Sequence, residues 1–535
     1  MSSSSEPQRV IVIGGGITGL ATAGLLAREG HSVTLLEKQP AVGGRAGLLE
    51  VDGFRFDTGP SWYLMPEVFD HFFRLMGTSS AEQLDLVKLD PGYRVFFEDV
   101  AEPIAITSSR SANIELFDSI EPGAGRRLAR YLDSAADTYE MAKRRFLYST
   151  FESFRPLLTP DVLARLPKLA RLLLRSLDSH AASVTRDPRL QQILGYPAVF
   201  LGSSPFDTPS MYHLMSHLDM TDGVYYPRGG FTKVISRIAA VAADAGAEIR
   251  ISAPVARILT SGGVAIGVEL ENGEVLDADI VVSTADLHHS ETALLPRELQ
   301  TYPAEYWEKR VAGPGAMLLY LGVEGELPQL EHHTLLFARD WRENFDSIFG
   351  TPTSIPEVPS LYVCKPSGVD PDVAPAGHSN VFVLVPIPAD PTLTEPELTE
   401  LGDRVIEQIA SWTGIPDLAS RIVVRRTVGP ADFAADLNVW KGSALGPAHT
   451  LKQSAFFRGA NVSKHVRGLL YAGSSSIPGI GLPMCLISAE LVLKRLRGDT
   501  STEALPEPPP VQPGDTSRVE PVETSRAEPV ETEEP

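Results

Sequence analysis

A short apolar run, Arg9-Val10-Ile11-Val12-Ile13, leads directly into Gly14-Gly15-Gly16-Ile17-Thr18-Gly19. Gly14, Gly16 and Gly19 meet the G-x-G-x-x-G spacing. In that pattern the first glycine makes a tight turn, the second lets backbone approach a pyrophosphate, and the third lets helix pack on strand. The spacing alone is weak evidence, so its setting matters. The alanine-rich stretch Thr18 to Arg28 reads as a helix that stops at Gly30, and Ser32 to Glu37 (SVTLLE) reads as the next strand. Together they make a βαβ opening whose helix N-terminus offers free N–H groups to phosphates. Glu37 falls where a carboxylate accepts from ribose hydroxyls, and its charge disfavours a 2′-phosphate and hence NADP. Gly43-Gly44-Arg45 follow: the glycines let the chain fold over a dinucleotide, and Arg45 can face its pyrophosphate. No second fingerprint for a pyridine nucleotide occurs.

The rest of the chain carries other signals. Residues 120 to 190 are mostly helical by pattern, and a helix spans Phe231 to Ala245. Alternating strands follow, with Asn272-Gly273 as a hairpin turn, and ADIVVS at 278–283 is a further strand. Residues 311 to 390 are strand-rich, and Leu398 to Thr413 reads as helix. GLLYAGSSS is a strand into a turn, and LISAELVLKRLRG is a helix whose basic last turn and Gly498 suit its C-terminus. From Thr500 on, nine acidic residues face two basic ones, with many prolines and the repeat SRVEPVET/SRAEPVET, so a disordered tail is expected. With 47 basic and 68 acidic residues the net charge is -21, which argues against a nucleic-acid partner. Cys364 and Cys485 make neither a disulfide framework nor a cysteine-based metal site, and no metal is expected. The absence of a basic n-region or a long apolar run points to a cytoplasmic protein.

GGGITGL…LLEKQPAVGGRAG and GFRFDTGPSWYLMPEVFDHFF resemble the N-terminal signature of bacterial carotenoid desaturases of the phytoene desaturase type, within the carotenoid desaturase/isomerase branch of the FAD-dependent, amine-oxidase-like flavoproteins. The resemblance continues at Tyr226-Pro227-Arg228-Gly229-Gly230, Ser252-Ala253-Pro254-Val255, Ser283-Thr284-Ala285-Asp286, CKPSGVDPDVAPAGHSNVFVLVPIP and LLYAGSSSIPGIGLPMCLISAE. It covers nearly all of the body and excludes the tail. It implies an α/β fold of the GR2 type: a Rossmann-like FAD-binding domain, a mixed-sheet substrate domain, and a helical subdomain in contact with a membrane. The FAD-binding parts are expected at 8–118, 221–305 and 426–498, the helical part at 119–220, the strand-rich substrate part at 306–425, and the acidic tail at 499–535. The resemblance further implies that Gly14, Gly16, Gly19, Glu37, Gly44 and Arg45 bind the ADP half of FAD. Val255 would meet the adenine side, and Gly473, Pro483 and Met484 the flavin end, with Pro227 to Gly230 near the flavin. AGSSSIPG departs from the wider superfamily, where an acidic residue before a glycine pair is common.

Desaturation of a polyene then requires removal of a hydride equivalent and a proton, with FAD as acceptor and a dry channel supplied by protein. The implied substrate is a phytoene-type C40 carotene recognised by burial and length, the products being neurosporene or lycopene, and the reduced flavin passes electrons to a quinone or oxygen. Competing readings are a carotenoid ketolase or oxidase, a C30 desaturase, an amine or porphyrinogen oxidase, and a non-catalytic isoprenoid-binding protein. His213, His217, His288 and His289, with Asp207, Asp219 and Asp222, are candidates by residue type alone, and no catalytic acid or base is assigned. Lys143 to Arg175 holds eight basic residues against Glu152 and Asp161, opposite in sign to the whole protein. Arg165, Lys168, Arg171 and Arg175 form one stripe beside Leu166, Leu169, Leu173 and Leu177, with Pro167 dividing the helix. That pattern suits a helix lying on the inner face of the cell membrane.

Overall fold

The computed structural model describes residues 6–152 and 159–509. Five parallel strands form the nucleotide-side sheet in the order Leu469–Tyr471, Ile280–Ser283, Arg9–Ile13, Ser32–Leu36, Glu248–Arg250. Its two faces follow the period-two alternation of strand side chains. Val10 and Val12 pack under the helices Ile17–Arg28, Gly230–Asp244 and Leu482–Arg497. Ile11 and Ile13 instead meet the antiparallel ladder Val255–Ser261, Val264–Leu270 and Val275–Asp277, whose last turn is Asn272-Gly273. With both faces covered, near-continuous apolar runs such as RVIVI are what a parallel sheet requires.

A second, mixed sheet has seven strands in the order Ile422–Val428, Gly315–Glu324, His378–Ile387, Leu361–Cys364, His333–Phe337, Tyr93–Phe97, Val100–Ile106. Only His333–Phe337 and Tyr93–Phe97 pair in parallel. Leu319, Leu321, Val383 and Val385 pack on helix Glu395–Thr413, which is started by a Thr394/Glu397 capping box. The alternate residues Leu318, Tyr320, Leu384 and Pro386 face a large cavity. Tyr93–Phe97 and Val100–Ile106 thus belong to this sheet and not to the nucleotide-side unit expected over 8–118. Strand Ile422–Val428 likewise runs across the boundary expected at 425/426. Sheet membership depends on long-range pairings such as Thr334 with Arg94, and these leave no local mark.

The helical region contains Ala124–Ala142, Leu166–Leu174 and Pro188–Gly195. Pro167 sits in the first turn of Leu166–Leu174, where its missing N–H costs nothing. Of the expected stripe, Leu169 and Leu177 are buried, Leu173 is half-buried and Leu166 is 53% exposed; Leu174, outside the stripe, is 82% exposed. The expected leucine stripe is therefore split between core and surface. Arg165 and Lys168 both pair with Asp137, at 3.4 and 2.7 Å, while Arg155 lies outside the described residues. No helix among the described residues is long and apolar enough to cross a membrane.

The segment beyond Gly498 corrects the tail expected from 499. Residues 499–509 fold back as a strap. The buried ammonium of Lys494 donates to the carbonyls of Tyr148, Ser501 and Glu503 at 2.7–2.9 Å. Leu505 is buried, and its N–H donates to Glu490 Oε1 at 2.6 Å. His71 lies between Glu490 and Glu507, at 3.0 and 2.9 Å. The repeat at 517–532 lies outside the described residues.

Candidate active site

The glycine turn is held by its neighbours. Gly14 has φ +101°, a conformation that favours glycine, and its N–H donates to Leu36 O at 2.8 Å. Thr284 Oγ1 donates to Ile13 O and Gly14 O at 2.9 and 3.0 Å, so the Ser-Thr-Ala-Asp motif clamps the turn from the next strand. A Cβ on Gly19 would stand 1.8 Å from Gly14 O. A Cβ on Gly16 would meet nothing within 4 Å. Glu37 accepts from Gly15 N at 2.6 Å and Gln39 N at 2.8 Å, which fixes its carboxylate with lone pairs to spare. Gly43 N donates to Gly15 O at 2.9 Å and lays the second glycine loop on the first.

These groups open onto a cavity of about 1250 Å³. Gly14, Gly16, Glu37, Gly44, Arg45, Val255, Gly473, Pro483 and Met484 all line it. Gly19 does not; it supports the turn from within the helix. The N-terminus of Leu482–Arg497, after Gly481 at φ +116°, also points into the cavity. Arg45 Nη2 is buried without a partner, and burial pushes the guanidinium pKa down. A guanidinium with one buried, unpartnered nitrogen, two helix N-termini and space above Gly16 form a donor set suited to a diphosphate. Arg458 organises the loop that departs from the superfamily pattern. Its buried guanidinium donates to Ser476 O at 3.2 Å and Pro447 O at 3.3 Å, and also to Ser474 O. Desolvation lowers its pKa to about 10.

Pro227 to Gly230 do not line the cavity. Asp370 accepts from Tyr226 OH and Gly229 N at 3.1 and 2.7 Å, and Asp57 accepts from Phe231 N and Thr232 N at 2.7 and 3.0 Å. The hydrogen bonds show this motif joining three segments and capping a helix. Of the candidate histidines only His289 lines the cavity. His213 is bonded to Ser134 Oγ at 3.0 Å, and desolvation pushes its pKa down to about 4. His217 pairs with Asp222 at 3.5 Å.

The far end of the cavity is aromatic, with Trp62, Tyr196, Phe200, Phe337, Trp341 and Tyr362 in its wall. Tyr196 OH and Tyr93 OH both donate to Asp219 Oδ2, at 2.8 and 3.0 Å. Asp219 is fully enclosed, and desolvation raises its pKa to about 7. Its Oδ1 has no partner. These aromatic residues lie far apart in the chain, and no spacing rule unites them.

Comparison with known proteins places this geometry. Residues 17–492 match the flavin containing amine oxidoreductase family. The chain is 42% identical over 497 residues to a carotenoid 3,4-desaturase of Haloarcula japonica, covering 93% of this chain and 99% of that one. The chain belongs to the carotenoid desaturase family. A zeta-carotene-forming phytoene desaturase of Myxococcus xanthus is 36% identical, covering 93% and 95% of the two chains. A 4,4′-diapolycopene oxygenase of Methylomonas sp. is 32% identical, covering 93% and 99%. An oxidoreductase from Methanosarcina mazei shares the fold with TM-score 0.60 at 16% identity, covering 91% of this chain and all of that one. This desaturase-family protein is accordingly an oxidoreductase acting on CH–CH groups, with FAD as its cofactor.

Proposed function

We propose that this flavoprotein desaturates acyclic C40 carotenoids of the phytoene type, giving more conjugated carotenes such as neurosporene or lycopene. The observation that carries the reading is the aromatic end of the cavity, continuous with the glycine turn. Apolar walls of that kind recognise a hydrocarbon through burial and shape. A second reading is favoured by the 42% identity to a carotenoid 3,4-desaturase: desaturation of an already conjugated carotenoid. Expression in one host accumulating phytoene and another accumulating lycopene separates the two by product absorption. Unchanged carotenoids in both, with folded and flavin-loaded protein, would refute desaturation.

FAD, when bound, accepts the hydride equivalent. Gly14, Gly16, Gly44 and Arg45 would hold its diphosphate, Glu37 its ribose, Val255 its adenine side, and Gly473, Pro483 and Met484 its flavin end, with Gly19 bracing the turn. The protein's own step is removal of the proton. Tyr196 Oη takes it from the substrate carbon while passing its own hydrogen to Asp219 Oδ2, and the C–H electron pair becomes the new double bond. Lack of a second nucleotide fingerprint supports a quinone or oxygen as terminal acceptor.

Loss of Glu37 as a hydrogen-bond acceptor removes a charge-assisted contact of roughly 1.5–3 kcal/mol. Glu37→Ala should therefore bind FAD about ten- to a hundredfold more weakly while remaining folded. The check is the flavin-to-protein ratio after gel filtration at high dilution; full retention would mean that Glu37 makes no such contact.

Access to a lipid-dissolved substrate supports peripheral docking on the inner face of the cell membrane. Exposed Leu166 and Leu174 beside Arg171 form the docking patch we favour. Anionic vesicles should carry the protein in flotation at low salt and release it at high salt. Charge reversal at Arg165, Lys168, Arg171 and Arg175 should weaken flotation, each cation near the surface contributing about 1 kcal/mol. Flotation equal to that of the parent would exclude this helix.

A further inference from the structure

We propose that His332, His333 and Cys364 form a binding site for a soft, thiophilic metal ion, with Cu(I) the ion that suits it best. His333 opens strand His333–Phe337 and stands opposite Cys364, the last residue of Leu361–Cys364. His332 is joined to the same edge, its carbonyl accepting from Lys365 N at 2.9 Å. One donor atom from each of the three side chains lies within 4.8 Å of the other two. The residues are 6%, 0% and 2% exposed.

The hydrogen-bond accounting is what singles the cluster out. Among the described residues neither ring nitrogen of His332 has a partner, and Nε2 of His333 has none. Buried polar groups are nearly always paired, so unpaired imidazole nitrogens gathered beside a buried thiol call for a ligand. The third element is the orientation of His333. Its Nδ1 is 2.6 Å from Tyr362 OH, which is itself 2.7 Å from Ser61 Oγ. When Nδ1–H donates to Tyr362 and Tyr362 donates to Ser61, Nε2 is left with a lone pair. This is how a metal-bound histidine is usually fixed from behind.

Donor type and charge select the ion. Thiolate and imidazole favour soft ions, and three protein donors suffice for Cu(I). Binding forms the Cu–S bond and releases the Cys364 thiol proton to solvent, with no change in oxidation state. The thiolate and Cu(I) then sum to zero charge, which an apolar interior tolerates. Zn(II) would leave one positive charge, and nearby Asp370 is already engaged by Tyr226 OH and Gly229 N. None of the three residues lines the cavity, although His333 stacks on cavity-lining Trp62 at 4.3 Å.

The test uses the flavin-loaded full chain without oxygen, titrated with Cu(I) against a colorimetric Cu(I) chelator, with Zn(II) in a parallel arm. One Cu(I) per chain, held in preference to Zn(II), is expected. Cys364→Ser and His332→Gln should each weaken binding at least about a hundredfold, with flavin content reporting that the variants are folded. X-ray absorption of the loaded parent protein needs no variant and should show sulfur among the copper neighbours. Failure to compete with the chelator, tighter Zn(II) binding, undiminished binding by Cys364→Ser, or copper without a sulfur neighbour would each overturn the proposal.

Discussion

Gly19→Ala should give a protein that folds poorly and carries no flavin, whereas Gly16→Ala should fold normally and still bind flavin weakly. The contrast follows from what a methyl group meets. At Gly19 it would lie 1.8 Å from Gly14 O and 2.8 Å from Thr284 Oγ1. The first of these is backbone in the turn itself, and no rotamer change relieves the clash. Overpacking of this kind costs about 1–3 kcal/mol and more where backbone must shift. At Gly16 the methyl meets nothing within 4 Å, and the residue is extended with φ -72°, open to any side chain. It would occupy only the space above the turn that the diphosphate needs. Thermal unfolding and flavin content of the two variants measure both effects. A flavin-replete Gly16→Ala protein would show that the diphosphate does not pass over this residue.

Asp219→Asn should lower turnover by roughly a hundredfold, near the lower end of general acid–base effects. The amide oxygen still accepts from Tyr93 and Tyr196, so the pocket keeps its shape and loses only its base. With its pKa near 7, the carboxyl is neutral below that value and ionised above it. Activity of the parent should therefore rise with pH through about 7, and the variant should lack this limb. Stability should run the other way. A carboxyl whose pKa is raised from 3.8 on folding favours the folded state at low pH, and that advantage is lost as pH climbs towards 7. Relative to the parent, the variant should gain in melting temperature at pH 8 compared with pH 4. An unchanged pH profile would remove Asp219 from the proton path.

Features decided by a few neighbouring residues were legible in the chain. The glycine turn depends on local backbone geometry and the missing Cβ at Gly19, and the hairpin at Asn272-Gly273 is equally local. Leu482–Arg497 ends at Gly498 with φ +66°, as its glycine stop implies. The aromatic end was not legible, because Trp62, Tyr93, Tyr196 and Tyr362 converge only when the seven-stranded sheet and helical region pack together. Asp219 looked like any acidic residue until two distant tyrosines were seen to enclose it. For Pro227 to Gly230 the residues alone did not say what the motif holds together; its bonds to Asp57 and Asp370 come from segments distant in the chain.

The strap after Gly498 changes where this molecule can be divided. A chain cut at the end of Leu482–Arg497 would leave Lys494 without its acceptors on Ser501 and Glu503, and would uncover the seat of Leu505. The ammonium would then have to pull the helix end towards water or lose its proton. The boundary of the folded unit therefore lies past the point where periodicity ends. A truncated chain should therefore retain residues 499–509 to keep the C-terminal end of Leu482–Arg497 satisfied.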